Sequence, residues 1–421
     1  MKITETENMP DLGMLAQTAQ KLKEVCLHTP LANNLNLSER YQADIWFKRE
    51  DLQPVRSYKL RGAFHKISSL PREQLSNGVV CASAGNHAQG VAYSCRKLGV
   101  HGTIFMPVPT PQQKVNQVEM FGRGQVEIVL DGDTFDDAYA TALAFCREKG
   151  AAFIHPFDDP KVIEGQATLG LEILADLPRP ADFLFLPVGG GGLASGVGSV
   201  FRERSPHTRI IGVEPVGAPA MKVSLEAGKI VSLPEIDRFV DGAAVKRVGD
   251  LTFRICQQVL DRVVTVDEGD VCTTIIRLYE QDAIVVEPAG ALSITALEQF
   301  REEIRGKTVV CLLSGSNNDI TRMEEIKERS LLAEGLKHYF IIRFPQRAGA
   351  LKQFVSGVMG PHDDITYFQY SKKHNREKGP ALVGIEMRHR EDFYPLIARM
   401  EQNGFAYEYL NDKPDLFQHL I

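Results

Sequence analysis

Along most of the chain, short continuous apolar runs alternate with longer amphipathic stretches. Asp44–Lys48, Gly78–Ala82, Gly102–Met106, Val126–Leu130, Phe183–Val188, Arg209–Val213 and Thr308–Leu313 read as strands. Helical periodicity covers Lys59–Leu70, His87–Leu98, Pro111–Phe121 and Thr134–Lys149, and Pro111 is expected in the first turn of its helix. Runs without a polar face suit parallel strands covered on both sides. The pattern therefore predicts an α/β class, with helices on both faces of parallel sheets.

After Asp319 the pattern changes. Thr321–Leu332 is rich in charge and reads as a solvated connecting helix. Beyond it come strand His338–Phe344, helix Gly349–Met359, strand Asp364–Tyr370, strand Pro380–Met387, helix Glu391–Asn403 and strand Phe405–Leu410, a βαββαβ ferredoxin-like order. The basic stretch 371–378 between the two middle strands reads as a solvated hairpin turn. The expected boundaries are residues 1–328 for the larger domain, a linker at 329–335, and residues 336–421 for the small one.

Composition narrows the class. A length of 421 residues calls for more than one core. A formal net charge of -6 gives no electrostatic case for nucleic acid or an anionic membrane. No apolar run approaches the roughly 18 residues of a membrane span. Residues 1–11 are polar and acidic, unlike a signal peptide. The seven cysteines show no C-x-x-C spacing. They read as reduced, buried thiols of a cytoplasmic protein without a zinc site.

Four turns carry candidate chemistry. Ser57-Tyr58-Lys59-Leu60-Arg61-Gly62 places a lysine at a helix start. The helix N-terminus and the neighbouring Arg61 would both disfavour its charge, and a neutral lysine amine forms a Schiff base with a carbonyl. Ser83-Ala84-Gly85-Asn86-His87 follows a strand and opens a helix, where open α/β sheets bind ligands; taken alone, it is better read as a helix cap, by Ser83 or Asn86. Gly189-Gly190-Gly191-Gly192-Leu193 would present backbone N–H groups to a phosphate. The same stretch also fits a dinucleotide fingerprint, with Ala194 in the last position and Glu214 as the ribose acid. Ser314-Gly315-Ser316-Asn317 ends another strand. Glu287-Pro288-Ala289-Gly290-Ala291 reads as a helix start with a buried acid, and His155 as structural at a strand end. No convincing ligand set accompanies Glu214, so no metal is assigned.

Together these segments, with Lys48–Gln53 and Val240–Val245, resemble the fold type II pyridoxal-phosphate enzymes, and within them the biosynthetic threonine dehydratases. The joint match displaces the dinucleotide alternative. The resemblance implies a tryptophan-synthase-β-like core of two parallel-sheet subdomains, the smaller one, about residues 53–155, inserted in the larger. It implies that Lys59 holds pyridoxal 5'-phosphate and acts as catalytic base. Gly189, Gly190, Gly191, Gly192 and Leu193 would bind its phosphate, Asn86 its ring hydroxyl and Ser314 its ring nitrogen. Ser83, Asn86 and His87 would border the substrate carboxylate. Tyr58 replaces the phenylalanine common before the lysine.

A neutral hydroxyl at the ring nitrogen favours prompt β-elimination over a long-lived carbanion. The implied substrate is L-threonine, giving 2-oxobutanoate and ammonia; L-serine would give pyruvate. Ala84 stands where serine racemases carry a serine acid/base, which disfavours racemisation. Phe344–Leu351 resembles the strand-to-helix turn of the ACT-like regulatory domains of this family, with Ala348 in place of a frequent proline. The resemblance implies feedback inhibition by isoleucine, antagonism by valine and a homotetramer. Three rivals remain at this point. One is a catabolic serine/threonine dehydratase, one a dimerisation role for the small domain, and one a non-catalytic amino-acid sensor.

Overall fold

The computed structural model describes residues 10–370 and 378–413. The basic turn expected at 371–378 therefore lies outside the described residues except for Lys378. In chain order, β1 (Leu31–Asn33) and β2 (Asp44–Arg49) open a large sheet. β3 (Val79–Ala82), β4 (Gly102–Met106), β5 (Val126–Leu130) and β6 (Ala152–Phe153) form a small one. β7 (Phe183–Pro187), β8 (Arg209–Pro215), β9 (Arg262–Val266) and β10 (Thr308–Leu313) complete the first. The strand orders are β1-β2-β10-β7-β8-β9 and β5-β4-β3-β6.

Neighbours in both sheets run parallel, except β1 against β2. That antiparallel edge was not expected from the sequence; Leu31–Asn33 is too short to show a period. Every residue of β7 and β10 is buried, as their unbroken apolar runs require. The helix after β4 begins at Gln112, with Pro111 as its N-cap in extended conformation, ψ 136°, rather than inside the first turn.

The helix Lys59–Ser68 starts one residue after Tyr58 and lies against the helices Asn86–Leu98 and Pro160–Asp176. Contact with the latter is made through glycines. A Cβ on Gly165 would sit 2.6 Å from the Arg61 carbonyl oxygen, and one on Gly62 2.8 Å from the Val162 carbonyl oxygen. The missing side chains let the two backbones approach and hold the lysine-bearing helix against the rest of the lobe.

The chain divides into two compact units. One comprises the residues up to Glu268 and Arg277–Asp319; the other comprises Gly269–Ile276 and the residues from Ile320 on. Along the chain the second unit resumes at Ile320, before the charged helix Met323–Ala333. Within the second unit that helix is tied to the sheet that follows: Lys337 Nζ lies 3.0 Å from Glu328 Oε2, and Tyr339 donates to Glu328 Oε1 at 2.6 Å. The second unit contains β11 (Lys337–Pro345), β12 (Asp364–Tyr370), β13 (Lys378–Glu386) and β14 (Ala406–Tyr409), in the antiparallel order β12-β13-β11-β14. Helices Ala350–Gly357 and Phe393–Gln402 cover it through Phe354, Leu396 and Met400, which pack on Phe340, Ile342 and Phe344. Gly349, at φ 81°, makes the turn from β11 into its helix. Among the described residues no helix is long and apolar enough to cross a membrane.

Candidate active site

Lys59 lies in the first unit, at the start of its helix, where the turn around it is zipped to the turn after β10. The Tyr58 N–H donates to the Ser314 carbonyl oxygen at 3.2 Å, and the Ser316 N–H to the Arg56 carbonyl oxygen at 2.9 Å. The Lys59 amine donates to the Pro156 carbonyl oxygen at 3.0 Å and stands 5.4 Å from the Tyr58 ring centre. Burial pushes its pKa down to about 8, against the pull of the nearby Glu287 carboxylate.

Arg61 is not the cause of that shift. Its guanidinium is fully buried between two carboxylates, at 2.8 and 2.9 Å from Glu50 and 2.6 and 2.9 Å from Glu172. Lys48, also fully buried, lies 2.7 Å from Glu172. Burial raises the Glu172 pKa, but Arg61 and Lys48 outweigh it and hold the carboxyl below its ordinary value. Residues two apart on a helix point away from each other, so Arg61 anchors the helix on the side opposite Lys59.

The Ser83–His87 turn closes the small sheet's end of the site. Ser83 Oγ accepts the Gly85 N–H at 3.2 Å. Asn86 Nδ2 donates to Glu287 Oε1 at 2.6 Å, and its Oδ1 accepts from Asn317 Nδ2 at 2.7 Å. The His87 imidazole is turned into the small lobe, with Nε2 at 2.8 Å from the Ile154 carbonyl oxygen. Burial, with the Lys59 charge, pushes its pKa down to about 3. His87 therefore offers the site its main chain at the helix start rather than its ring.

The glycine turn follows β7, and Gly192 begins the helix Gly192–Arg204. Gly191 has φ 93°, in the region that favours glycine, and a Cβ on Gly190 would lie 2.3 Å from the Phe157 ring. Leu193 is buried beneath the turn. Thr252 Oγ1 donates to the Gly190 carbonyl oxygen at 2.6 Å, so the carbonyl is occupied while the first-turn N–H groups of the helix have no intrahelical acceptor. His155 Nδ1 accepts the N–H groups of Phe157 and Asp158 at 3.2 and 2.8 Å, which fixes the turn carrying Phe157. Its role here is structural. Ser314 is buried, and its carbonyl oxygen accepts the Tyr58 N–H.

Sequence reasoning read Glu287 as a buried acid at a helix start, as it is, but gave no role to it, to Asn317 or to Phe157; its position opposite Asn86 is what distinguishes it. Glu214, weighed as a ribose or cation ligand, instead accepts the N–H groups of Met221 and Lys222, both at 2.8 Å. Burial pushes its pKa up to about 8. Among the described residues no group of three or more His, Cys, Asp or Glu side chains is placed to hold a metal.

Several features suit a phosphorylated aldehyde. Lys59 has a depressed amine, and the helix N-terminus offers donors for a dianion. The buried Ser57 Oγ and Asn317 Oδ1 have no hydrogen-bond partner, and a Cβ on Gly85 would enter open space. Such a fold and site define a pyridoxal-phosphate-dependent enzyme, and the family model "Pyridoxal-phosphate dependent enzyme" matches residues 23–315. A second, "C-terminal regulatory domain of Threonine dehydratase", matches residues 328–420.

The chain is 58% identical over 402 residues to the L-threonine dehydratase biosynthetic IlvA of Halalkalibacterium halodurans, covering 96% of this chain and 97% of that one. It is also 58% identical to the protein so named from Bacillus subtilis, covering 96% and 95%. The structure of the processed form of threonine deaminase isoform 2 from Solanum lycopersicum superposes with a TM-score of 0.72 at 40% identity, covering 77% of this chain and 91% of that one. The chain belongs to the biosynthetic threonine dehydratase family of pyridoxal-phosphate-dependent enzymes.

Proposed function

We propose that the protein dehydrates and deaminates L-threonine to 2-oxobutanoate and ammonia, with L-serine giving pyruvate, as the committed step of isoleucine synthesis in the cytoplasm. The observation that carries the reading is the buried Lys59 amine, its pKa lowered to about 8, on a turn bonded to that of Ser314 in a chain of this family. Pyridoxal phosphate, when bound, supplies an electron sink for the charge left at the α-carbon of an amino acid. The chain supplies the rest. The N–H groups of Gly189–Leu193 and the helix behind them take the phosphate. Asn86, held at both ends, keeps one N–H and one lone pair for the ring hydroxyl. Ser314 meets the ring nitrogen with a hydroxyl, which does not favour a protonated ring. The Ser83 hydroxyl and the main chain of Asn86 and His87 receive the substrate carboxylate. Lys59 Nζ, part neutral near pH 8, takes the α-proton. The β-hydroxyl leaves with a proton, and water replaces the amino nitrogen.

The second unit is read as an amino-acid sensor for isoleucine, with valine as antagonist, and the assembly as a homotetramer. Both follow from the family resemblance; two states with different isoleucine affinity are required for inhibition. The test is the visible absorbance of the purified protein, then threonine addition and assay of 2-oxobutanoate. A yellow protein that forms 2-oxobutanoate, with a colourless, inert Lys59→Ala variant, is expected. A yellow protein that ignores threonine would refute the substrate, and a colourless one that cannot be reconstituted would refute the enzyme.

A further inference from the structure

Glu287 has no part in the reaction as derived so far, yet its surroundings are unusually specific. It is 4% exposed and directly precedes the helix Pro288–Thr295, but its side chain makes no capping bond to that helix. The carboxylate is turned instead to the site. Oε1 accepts from Asn86 Nδ2 at 2.6 Å, a backbone hydrogen bond from Asn317 reaches the same group, and a Cβ on Gly315 would come within 2.4 Å of Oε1. Asn317 closes a triangle by donating from Nδ2 to Asn86 Oδ1 at 2.7 Å. A carboxylate can only accept and an amide N–H₂ can only donate, so just one of the two orientations of the Asn86 amide satisfies both neighbours.

We propose that Glu287 is a positioning residue, fixing the orientation of the Asn86 amide toward the cofactor and seating the Ser314–Asn317 turn against it. The inference rests on the proposed function, in which Asn86 and Ser314 contact pyridoxal phosphate. The charged groups around Glu287 are Lys59, Asp241 and Lys114; Lys114 is itself paired with Asp241 at 2.5 Å. Burial, with Asp241, pushes the Glu287 pKa up to about 7, while the Asn86 bond and Lys114 oppose the shift. A bond that stabilises the carboxylate against its burial is consistent with a group held for its acceptor.

The experiment is a cycle of Glu287→Gln, Asn86→Ala and the double variant in the full chain. Pyridoxal phosphate affinity is read by absorbance titration, alongside the visible spectrum and kcat. Glu287→Gln keeps an acceptor oxygen but removes its charge, so it should weaken cofactor binding about fivefold, the difference between a charge-assisted and a neutral hydrogen bond. It should also shift the visible band and lower kcat, while leaving the thermal midpoint within a few degrees. In the Asn86→Ala background the same substitution should change affinity by less than about twofold, because its target is gone. Losses that multiply in the double variant, or a Glu287→Gln protein with wild-type spectrum and affinity, would overturn the proposal. Should Glu287→Gln fail to fold, Asn317→Ala tests the other arm of the triangle. Weaker cofactor binding supports the proposal and unchanged binding refutes it. A wild-type protein that binds no pyridoxal phosphate would instead remove the function on which the inference rests.

Discussion

Replacing Arg61 by methionine tests whether the buried charge network holds the lysine-bearing helix in place. The substitution keeps the volume of the stem and removes four hydrogen bonds to two carboxylates. The two are not left equally exposed to the loss. Glu172 retains Lys48 at 2.7 Å, whereas Glu50, fully buried, keeps only Thr29 Oγ1 at 2.6 Å and Gln53 Nε2 at 3.2 Å. Most of the cost therefore falls on Glu50, a buried carboxylate without a cation, and breaking such a pair costs about 3–5 kcal/mol. Neutralising Glu50 in the same background by Glu50→Gln should restore about 1–2 kcal/mol, since the unpaired charge disappears but the hydrogen bonds do not return. Urea unfolding followed by tryptophan fluorescence reads this directly. The chain has one tryptophan, Trp46, which sits in β2 and so reports the first unit alone. A loss below about 1 kcal/mol for Arg61→Met, or a further loss when Glu50→Gln is added, would refute the assignment of the network as an anchor.

Three further outcomes are expected. The rate at which cofactor-free protein captures pyridoxal phosphate should rise with pH as Lys59 loses its proton and level off above about pH 8; a continued rise toward pH 10.5, where an ordinary lysine titrates, would contradict its depressed pKa. Gly190→Ala would drive a Cβ to 2.3 Å from the Phe157 ring and should cost about 1–3 kcal/mol of stability with a loss of cofactor affinity; adding Phe157→Ala should recover part of the stability, and an unaltered unfolding curve for the single variant would refute the contact. Ala84→Ser places a hydroxyl where serine racemases have one and should bring detectable serine racemisation by chiral chromatography; none would undo the role given to that position.

The alternation of apolar runs and helical stretches made the parallel core legible, because β7 and β10 are buried on both faces and leave no polar trace. The place of the glycine turn, between β7 and the helix Gly192–Arg204, was legible too, but its local pattern fitted a dinucleotide loop equally well until the family resemblance decided against that. What escaped was decided by pairings across long stretches of chain. Arg61 looked like a neighbour that would discharge Lys59, but the two point apart and its partners, Glu50 and Glu172, lie on other elements. The depressed lysine was anticipated, while its cause, burial, needed the fold. Glu287 could be read as a buried acid at a helix start, but its partnership with Asn86 shows only once the fold brings the two together. His87 is next to Asn86 in sequence yet is turned to the Ile154 carbonyl oxygen instead of to Glu287, because consecutive residues on a helix diverge by about 100°. β1 escaped because three residues cannot display a period.

The order of strands in the large sheet also bears on how the protein comes into being. β10 lies between β2 and β7, with Thr308 beside Asp44 and Val309 beside Phe183. On the ribosome both of those strands emerge long before the one that separates them. The small sheet, whose four strands are contiguous in the chain, can pair as soon as β6 is released. The large sheet must wait with two apolar edges unpaired until residue 313 clears the exit tunnel. A nascent chain is most exposed to aggregation during such an interval, because non-local strand pairing is slow and open edges recruit other strands. Termination just before β10 thus yields a polypeptide that contains Lys59, Asn86 and the glycine turn but cannot complete the large sheet.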